Sequence, residues 1–325
     1  MKRMQRLIAL TLLLFASLPV RAHAVELLIP VGKVIGLQLT DDTVTVAAFD
    51  DSLGTLAKDA GLKIGDEILR IDGTQIRCAE DVRSALSQCG SEVTLTVRRG
   101  EKLSTLSVTP SQTDDGPRLG VYLRQGIAGI GTVTFYDPDT GLFGALGHGV
   151  NDSRGCLLTM KEGTAFDARI QSVKKGKCGE PGQLKGTAEA ALTLGPLLKN
   201  TPQGIFGTVS TPWAGEPLPV ADFCDVHTGE AKIRSTVSGD TVQEYSVEIL
   251  KIYPEDRADG RNFLIKVTDP ALLEATGGIV QGMSGSPLLQ DGKLIGAVTH
   301  VLVNDPTMGY GIFIENMLEA AEGGE

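Results

Sequence analysis

The chain has 325 residues, with 40 glycines and 15 prolines, and its side chains are 42% hydrophobic but only 5% aromatic. Single cores rarely grow beyond about 250 residues, so the length calls for two domains; the glycine-rich, aromatic-poor mixture suits short strands joined by tight turns and excludes an all-helical protein. A total of 40 acidic against 30 basic side chains gives a formal charge of -10, which repels a phosphate backbone and argues against nucleic acid as a partner.

The first element in chain order, residues 1–24, reads as a signal peptide or membrane anchor. Lys2, Arg3 and Arg6 supply a positive flank, Leu7 to Val20 an apolar run, and Ala22-His23-Ala24 a small-residue cleavage pattern. Cleavage is expected after Ala24. The run of about 14 residues is short of the roughly 20 that span a bilayer as a helix; left uncleaved, it would associate the chain with a membrane. Either way the body of the chain is expected outside the cytoplasm.

From Val25 to Pro110, alternating runs at Val44–Phe49, Glu67–Ile71, Val93–Arg98 and Leu103–Val108 predict strands, and helical spacing appears over Ser52–Ala60 and Ala79–Ser87. The stretch AGLKIGDEILRIDG, Ala60 to Gly73, has a helix stop at Gly61, a turn at Gly65-Asp66 and a hairpin turn at Asp72-Gly73. It resembles the central signature of PDZ domains. The resemblance implies a groove that takes C-terminal or internal peptides as an added strand, with the carboxylate loop near Val34-Ile35-Gly36-Leu37, Leu37 and Leu39 on the groove strand, and Val82 or Leu86 on the facing helix. The fold also serves as a mere spacer in the alternative reading. Over Thr109 to Arg118, two prolines, two aspartates and a glycine mark a linker, placed at residues 111–118. From Leu119 to Val303 many short strand-like segments follow, with few helices before Ile314–Ala321, so residues 119–325 are expected to form a double β-barrel or sandwich and the protein to be mainly β.

The segment Gly282-Met283-Ser284-Gly285-Ser286-Pro287 carries the strongest chemical signal. It resembles the nucleophile loop of chymotrypsin-like serine peptidases. Glycines on both sides of a serine permit a sharp turn that exposes Oγ and aims the N–H groups of Gly282 and Ser284 into one oxyanion pocket. Gly285 directly after Ser284 and a serine at position 286, where the elbow needs glycine, exclude G-x-S-x-G. A serine needs a base. Of the four histidines, His23 lies in the export segment, His227 reads as a turn residue and His300 as a core histidine on an apolar strand. His148, flanked by glycines, is expected to stand at a strand end facing a cleft. No C-x-x-C, H-E-x-x-H or G-x-x-x-x-G-K pattern occurs, so no metal or cofactor is expected. The five cysteines are expected as buried or free thiols, with Cys78 and Cys89 bracketing a short helix.

Three stretches together, G-A-L-G-H-G around His148, I-V-Q-G-M-S-G-S-P around Ser284, and G-A-V-T-H-V…N-D-P-T-x-G-Y-G-I over Gly296–Ile312, closely resemble the stage IV sporulation protein B peptidase family. This resemblance implies an N-terminal PDZ-like domain followed by a chymotrypsin-like double β-barrel, with His148 as general base, Ser284 as nucleophile and Asp269 as orienting acid. Asp269 before Pro270 fits a helix cap as well, and Asp222 and Asp225 are the reserves. The implied function is an exported endopeptidase of sporulation signalling. It processes itself and cuts a membrane-bound regulator in the space between forespore and mother cell membranes, which triggers intramembrane proteolysis and late sigma-factor activation. The alternatives are an envelope quality-control PDZ protease and a non-catalytic PDZ scaffold.

Overall fold

The computed structural model describes residues 26–152, 154–253 and 260–323; the expected export segment lies outside the described residues. Strand β1 (Leu27–Pro30) is followed by the long β2 (Val34–Phe49). Helix α1 (Thr55–Asp59), β3 (Glu67–Ile71), β4 (Thr74–Gln75), α2 (Ala79–Ser87), β5 (Val93–Arg99) and β6 (Lys102–Val108) come next. Residues expected as a linker instead form a small hairpin, β7 (Ser111–Thr113) with β8 (Gly116–Arg118), which leads into a second long strand, β9 (Val121–Tyr136).

Strands β2 and β9 each serve two units. Their halves Val44–Phe49 and Val121–Gln125 pair with one another and, with β3, β5 and β6, form the PDZ module around Val46, Ile68, Ile71, Leu86, Leu95 and Val97. Within it the K-I-G-D-E stretch is explained by Asp66, whose fully buried carboxylate accepts from Lys63 N–H at 2.8 Å and from both Nε and Nη2 of Arg99 at 2.6 Å. A buried charge is tolerated only when paired and hydrogen-bonded in this way. Asp72-Gly73 and Asp291-Gly292 are left-handed at both residues, as their hairpin role requires.

The other halves, Val34–Leu39 and Ile127–Thr132, belong to a six-stranded barrel. With β10 (Leu142–Ala145), β11 (Glu162–Lys174), β12 (Gln183–Thr201) and β13 (Gly204–Thr208), it closes in the order β9-β10-β13-β12-β11-β2. At its rim β1 pairs with β14 (Leu218–Pro219) and with β9. Of the residues expected in the PDZ-like domain 25–110, Val34–Leu39 pair into the first barrel, so the PDZ module grows out of the β2–β9 hairpin of that barrel.

A second closed barrel contains β15 (Gly229–Thr236), β16 (Val242–Ile252), β17 (Phe263–Val267), β18 (Pro287–Gln290), β19 (Lys293–Leu302) and β20 (Asp305–Phe313), with α3 (Pro270–Thr276) and the terminal α4 (Ile314–Glu322) packed outside. Period-two alternation builds β16: Tyr245, Val247 and Ile249 point inward while Glu244, Ser246 and Glu248 face solvent. By contrast β19 is apolar on both faces. Ile295 and Val298 meet the barrel interior, where Phe263 packs edge-on against Phe313 at 4.5 Å, while Leu294 and Ala297 meet Ile314 and Met317 of α4.

Candidate active site

The turn Gly282-Met283-Ser284-Gly285 leaves α3 for β18 but is held by the first barrel. Thr132 N–H donates to Ser284 O at 3.1 Å, Thr132 Oγ1 to Gly282 O at 2.8 Å, and Thr134 Oγ1 to Gly285 O at 2.8 Å. With its carbonyls tied to β9, the loop is left with N–H groups at Gly282 and Ser284 that have no acceptor among the described residues, whereas Met283 N–H is taken by Val280 O. Gly285 has φ +94°, and a Cβ there would lie 2.0 Å from Thr132 O and 2.5 Å from Leu146 N, so the approach of the two barrels requires glycine. The Ser284 hydroxyl donates to Thr299 O at 2.8 Å.

On the facing side, β10 ends in a turn with two successive left-handed residues, Leu146 (φ +69°) and Gly147 (φ +67°). A leucine in that region costs about 1–3 kcal/mol and persists only where its surroundings enforce it. Here Leu146 N–H is held by Thr132 O, and the side chain is buried. The turn delivers His148 to the cleft. Its Nδ1 lies 2.9 Å from Gly149 O; a carbonyl only accepts, so Nδ1 carries the proton and Nε2 keeps its lone pair. Burial pushes the imidazole below its ordinary pKa, partly offset by the bond to Gly149 O, which keeps the ring neutral at neutral pH.

His148 and Ser284 line one cavity of about 480 Å³ between the barrels. Leu37, Leu39, Ile127, Ile130 and Leu146 contribute from the first barrel, and Ile279, Val280, Thr299, His300 and Val301 from the second. No charged side chain lines it among the described residues. His300, expected in the core, sits at the end of β19 with its ring centroid 5.4 Å from that of His148.

Asp269 does not join this cleft. It caps α3: Oδ1 accepts from Ala271 N at 2.9 Å and Leu272 N at 3.1 Å, and Oδ2 from Ser246 N at 3.3 Å. These bonds match the helix-cap reading that the Asp-Pro pair also offers in the sequence. The reserves are engaged elsewhere as well, Asp222 capping a 3₁₀ turn at Phe223–Asp225 and Asp225 pairing with Lys293. Among the described residues the group on His148 Nδ1 is a backbone carbonyl. The expected peptide-binding residues Ile35, Gly36, Leu37 and Leu39 are corrected. They lie in the barrel half of β2, paired with β9 and β11, and Leu37 and Leu39 wall the cavity that His148 and Ser284 share. The PDZ groove lies between α2 and the start of β9, lined by Val82, Arg83, Leu86, Arg118 and Leu119–Leu123. All five cysteines are free, and no group of three or more His, Cys, Asp or Glu among the described residues is placed to hold a metal ion.

A family model described as SpoIVB peptidase S55 matches residues 115–318, and a PDZ-domain model matches residues 34–109. The chain belongs to the SpoIVB peptidase S55 family. This member of the S55 peptidase family has its PDZ-domain match before its peptidase match. It is 39% identical over 91 residues to a protein of Lactococcus lactis subsp. lactis named as a zinc metalloprotease, covering 28% of this chain and 20% of that relative. It is 38% identical over 60 residues to the serine protease HTRA1 of Xenopus tropicalis, covering 18% and 13%. The chain thus spans no more than a fifth of either relative. Among solved structures, the S55 peptidase is similar to the Rv3671c protease of M. tuberculosis in its inactive form, with 12% identity and TM-score 0.36 over 60% of this chain and 85% of that one. The PDZ domain of the SdrC-like protein of Listeria monocytogenes matches with 23% identity and TM-score 0.22, covering 25% of this chain and 87% of that one.

Proposed function

We propose that Ser284 is the nucleophile of this S55 peptidase, His148 its general base, and the N–H groups of Gly282 and Ser284 its oxyanion hole. The observation that carries the reading is the shared cleft: a neutral imidazole and a serine hydroxyl come from different barrels to one cavity, beside two N–H groups without acceptors. For attack, the hydroxyl leaves Thr299 O by rotation about χ1 and donates to His148 Nε2. Oγ then adds to the peptide carbonyl, and the oxyanion is held by the two amides, each typically worth about two to three orders of magnitude in rate. His148 returns the proton to the leaving amine, and water repeats the sequence on the acyl-enzyme.

Family membership and the signal-like N-terminus support a finer reading. The enzyme acts outside the cytoplasm, in the space between forespore and mother cell membranes. It cuts itself and a membrane-bound regulator, so that intramembrane proteolysis activates a late sigma factor; its PDZ groove takes peptides. A fluorophosphonate probe followed by intact-mass and peptide mapping tests the chemical core. An adduct on Ser284, lost in Ser284→Ala and strongly slowed in His148→Ala, is expected; an unlabelled, well-folded protein would refute it.

A further inference from the structure

Strand β9 has two edges. One pairs with β2 from Phe49↔Val121 to Val34↔Thr132 and then with β1 at Phe135 and Tyr136; the other is taken up by β10 only from Val133 onward. From Val121 to Gly131 this second edge has no strand partner among the described residues. It meets a cavity at each end. Val121, Tyr122 and Leu123 line the PDZ groove of about 340 Å³, and Gly129 and Ile130 line the catalytic cleft. Consecutive residues of a strand point to opposite faces, so a cavity lined by neighbours in sequence touches the strand at its edge.

The groove end is suited to a carboxylate. The N–H groups of Leu119 and Gly120 have no acceptor among the described residues, and Gly120 is left-handed (φ +66°), with a Cβ there only 2.2 Å from the Leu53 backbone. Arg83 and Arg118 line the same groove, each in a surface pair with Glu80 and Asp115, and Val82 and Leu86 give it an apolar wall.

We propose that both cavities hold one chain, the extended C-terminal segment of a protein substrate. Its carboxylate sits at Leu119–Gly120, its apolar last side chain against Val82 and Leu86, and its body adds antiparallel to the free edge of β9, which leads it to Ser284. The proposal rests on Ser284 being the nucleophile. Antiparallel strands pair residue for residue, so the bond opposite Gly129–Ile130 lies about nine residues before the carboxylate, roughly 30 Å at about 3.3 Å per residue. Oγ of Ser284 bonds to the carbonyl carbon and the C–N bond breaks. The proton goes through His148 to the amine of the departing C-terminal fragment, and water then releases the acyl part.

The test uses purified protein and peptides of about 20 residues with free apolar C-termini, with cut sites mapped by mass spectrometry. Cuts about seven to eleven residues from the end are expected, at least tenfold faster than in the C-terminal amides. Two residues inserted near the C-terminus should move the cut two residues along the local sequence. Cuts that follow local sequence at any distance from the end, or amides cleaved equally well, overturn the shared edge while Ser284 still labels with fluorophosphonate. Failure to label overturns the nucleophile assignment and this inference with it.

Discussion

Replacing Asp269 separates a helix cap from an orienting acid. Its carboxylate receives three backbone N–H groups, from Ala271, Leu272 and Ser246, at the start of the seven-residue α3, which carries Pro270 at its first turn. Asparagine keeps one carbonyl oxygen and caps about as well as aspartate, so Asp269→Asn is expected to change stability by no more than about 0.5 kcal/mol; Asp269→Ala should lose about 1 kcal/mol, within a range of 0.5–2. In a catalytic domain of this size that loss lowers Tm by about 2–4 °C. Neither variant is expected to change kcat/KM more than about threefold. An acid that orients the base behaves in the opposite way, since amide replacement there costs about 10⁴ in kcat with the fold intact. Scanning calorimetry and progress curves on one peptide substrate give both numbers. Asp269→Asn with an unchanged Tm and activity lower by orders of magnitude would refute the cap assignment.

The pH profile of kcat/KM should show its acid limb below 6.5, the ordinary value of the imidazole, because burial lowers the pKa of His148; a limb at or above 6.5 contradicts the buried neutral base. The same shift means the unfolded chain takes up this proton first, so the stability contributed by neutral His148 is present above pH 6.5 and declines as pH falls through that value and below. Thr132→Val removes the donor to Gly282 O inside a buried contact; a loss of about 1–3 kcal/mol is expected in denaturant unfolding, with slower labelling of Ser284. Gly285→Ala forces a Cβ to 2.0 Å from Thr132 O and is expected to cost at least about 2 kcal/mol or prevent folding; a variant as stable as the parent would show that the barrels do not meet at this turn.

Local chemistry was the legible part of this protein. The Asp-Gly turns, the glycine-flanked serine and the glycine-flanked His148 depend on residues within a few positions of each other, and their types state the backbone they need. Long-range pairing was not legible. Val34–Leu39 and Val44–Phe49 are both apolar alternating runs, and nothing in either says that one strand changes partners at Thr40–Thr43, where its register with β9 shifts. Two Gly-containing apolar steps, Ile35-Gly36-Leu37 and Leu119-Gly120-Val121, fit a carboxylate loop equally well by composition. Only Gly120 is left-handed and faces α2, while Gly36 lies within the ordinary strand β2. His300 looked like core because β19 is apolar on both faces, and it reaches the cleft only because the register with β20 shifts between Val298 and His300. Asp269 offered two readings, and Pro270 at N1 was the signal for the one the structure adopts.

If groups from two barrels act on one carbonyl, a crystal structure with a peptide boronate will capture them together. Boron is expected on Ser284 Oγ, with one boronate oxygen about 2.7–3.1 Å from the N–H groups of Gly282 and Ser284 and His148 Nε2 within hydrogen-bond reach of the adduct. A boronate bound away from Ser284, with its hydroxyl still on Thr299 O and His148 turned out of the cleft, would contradict it.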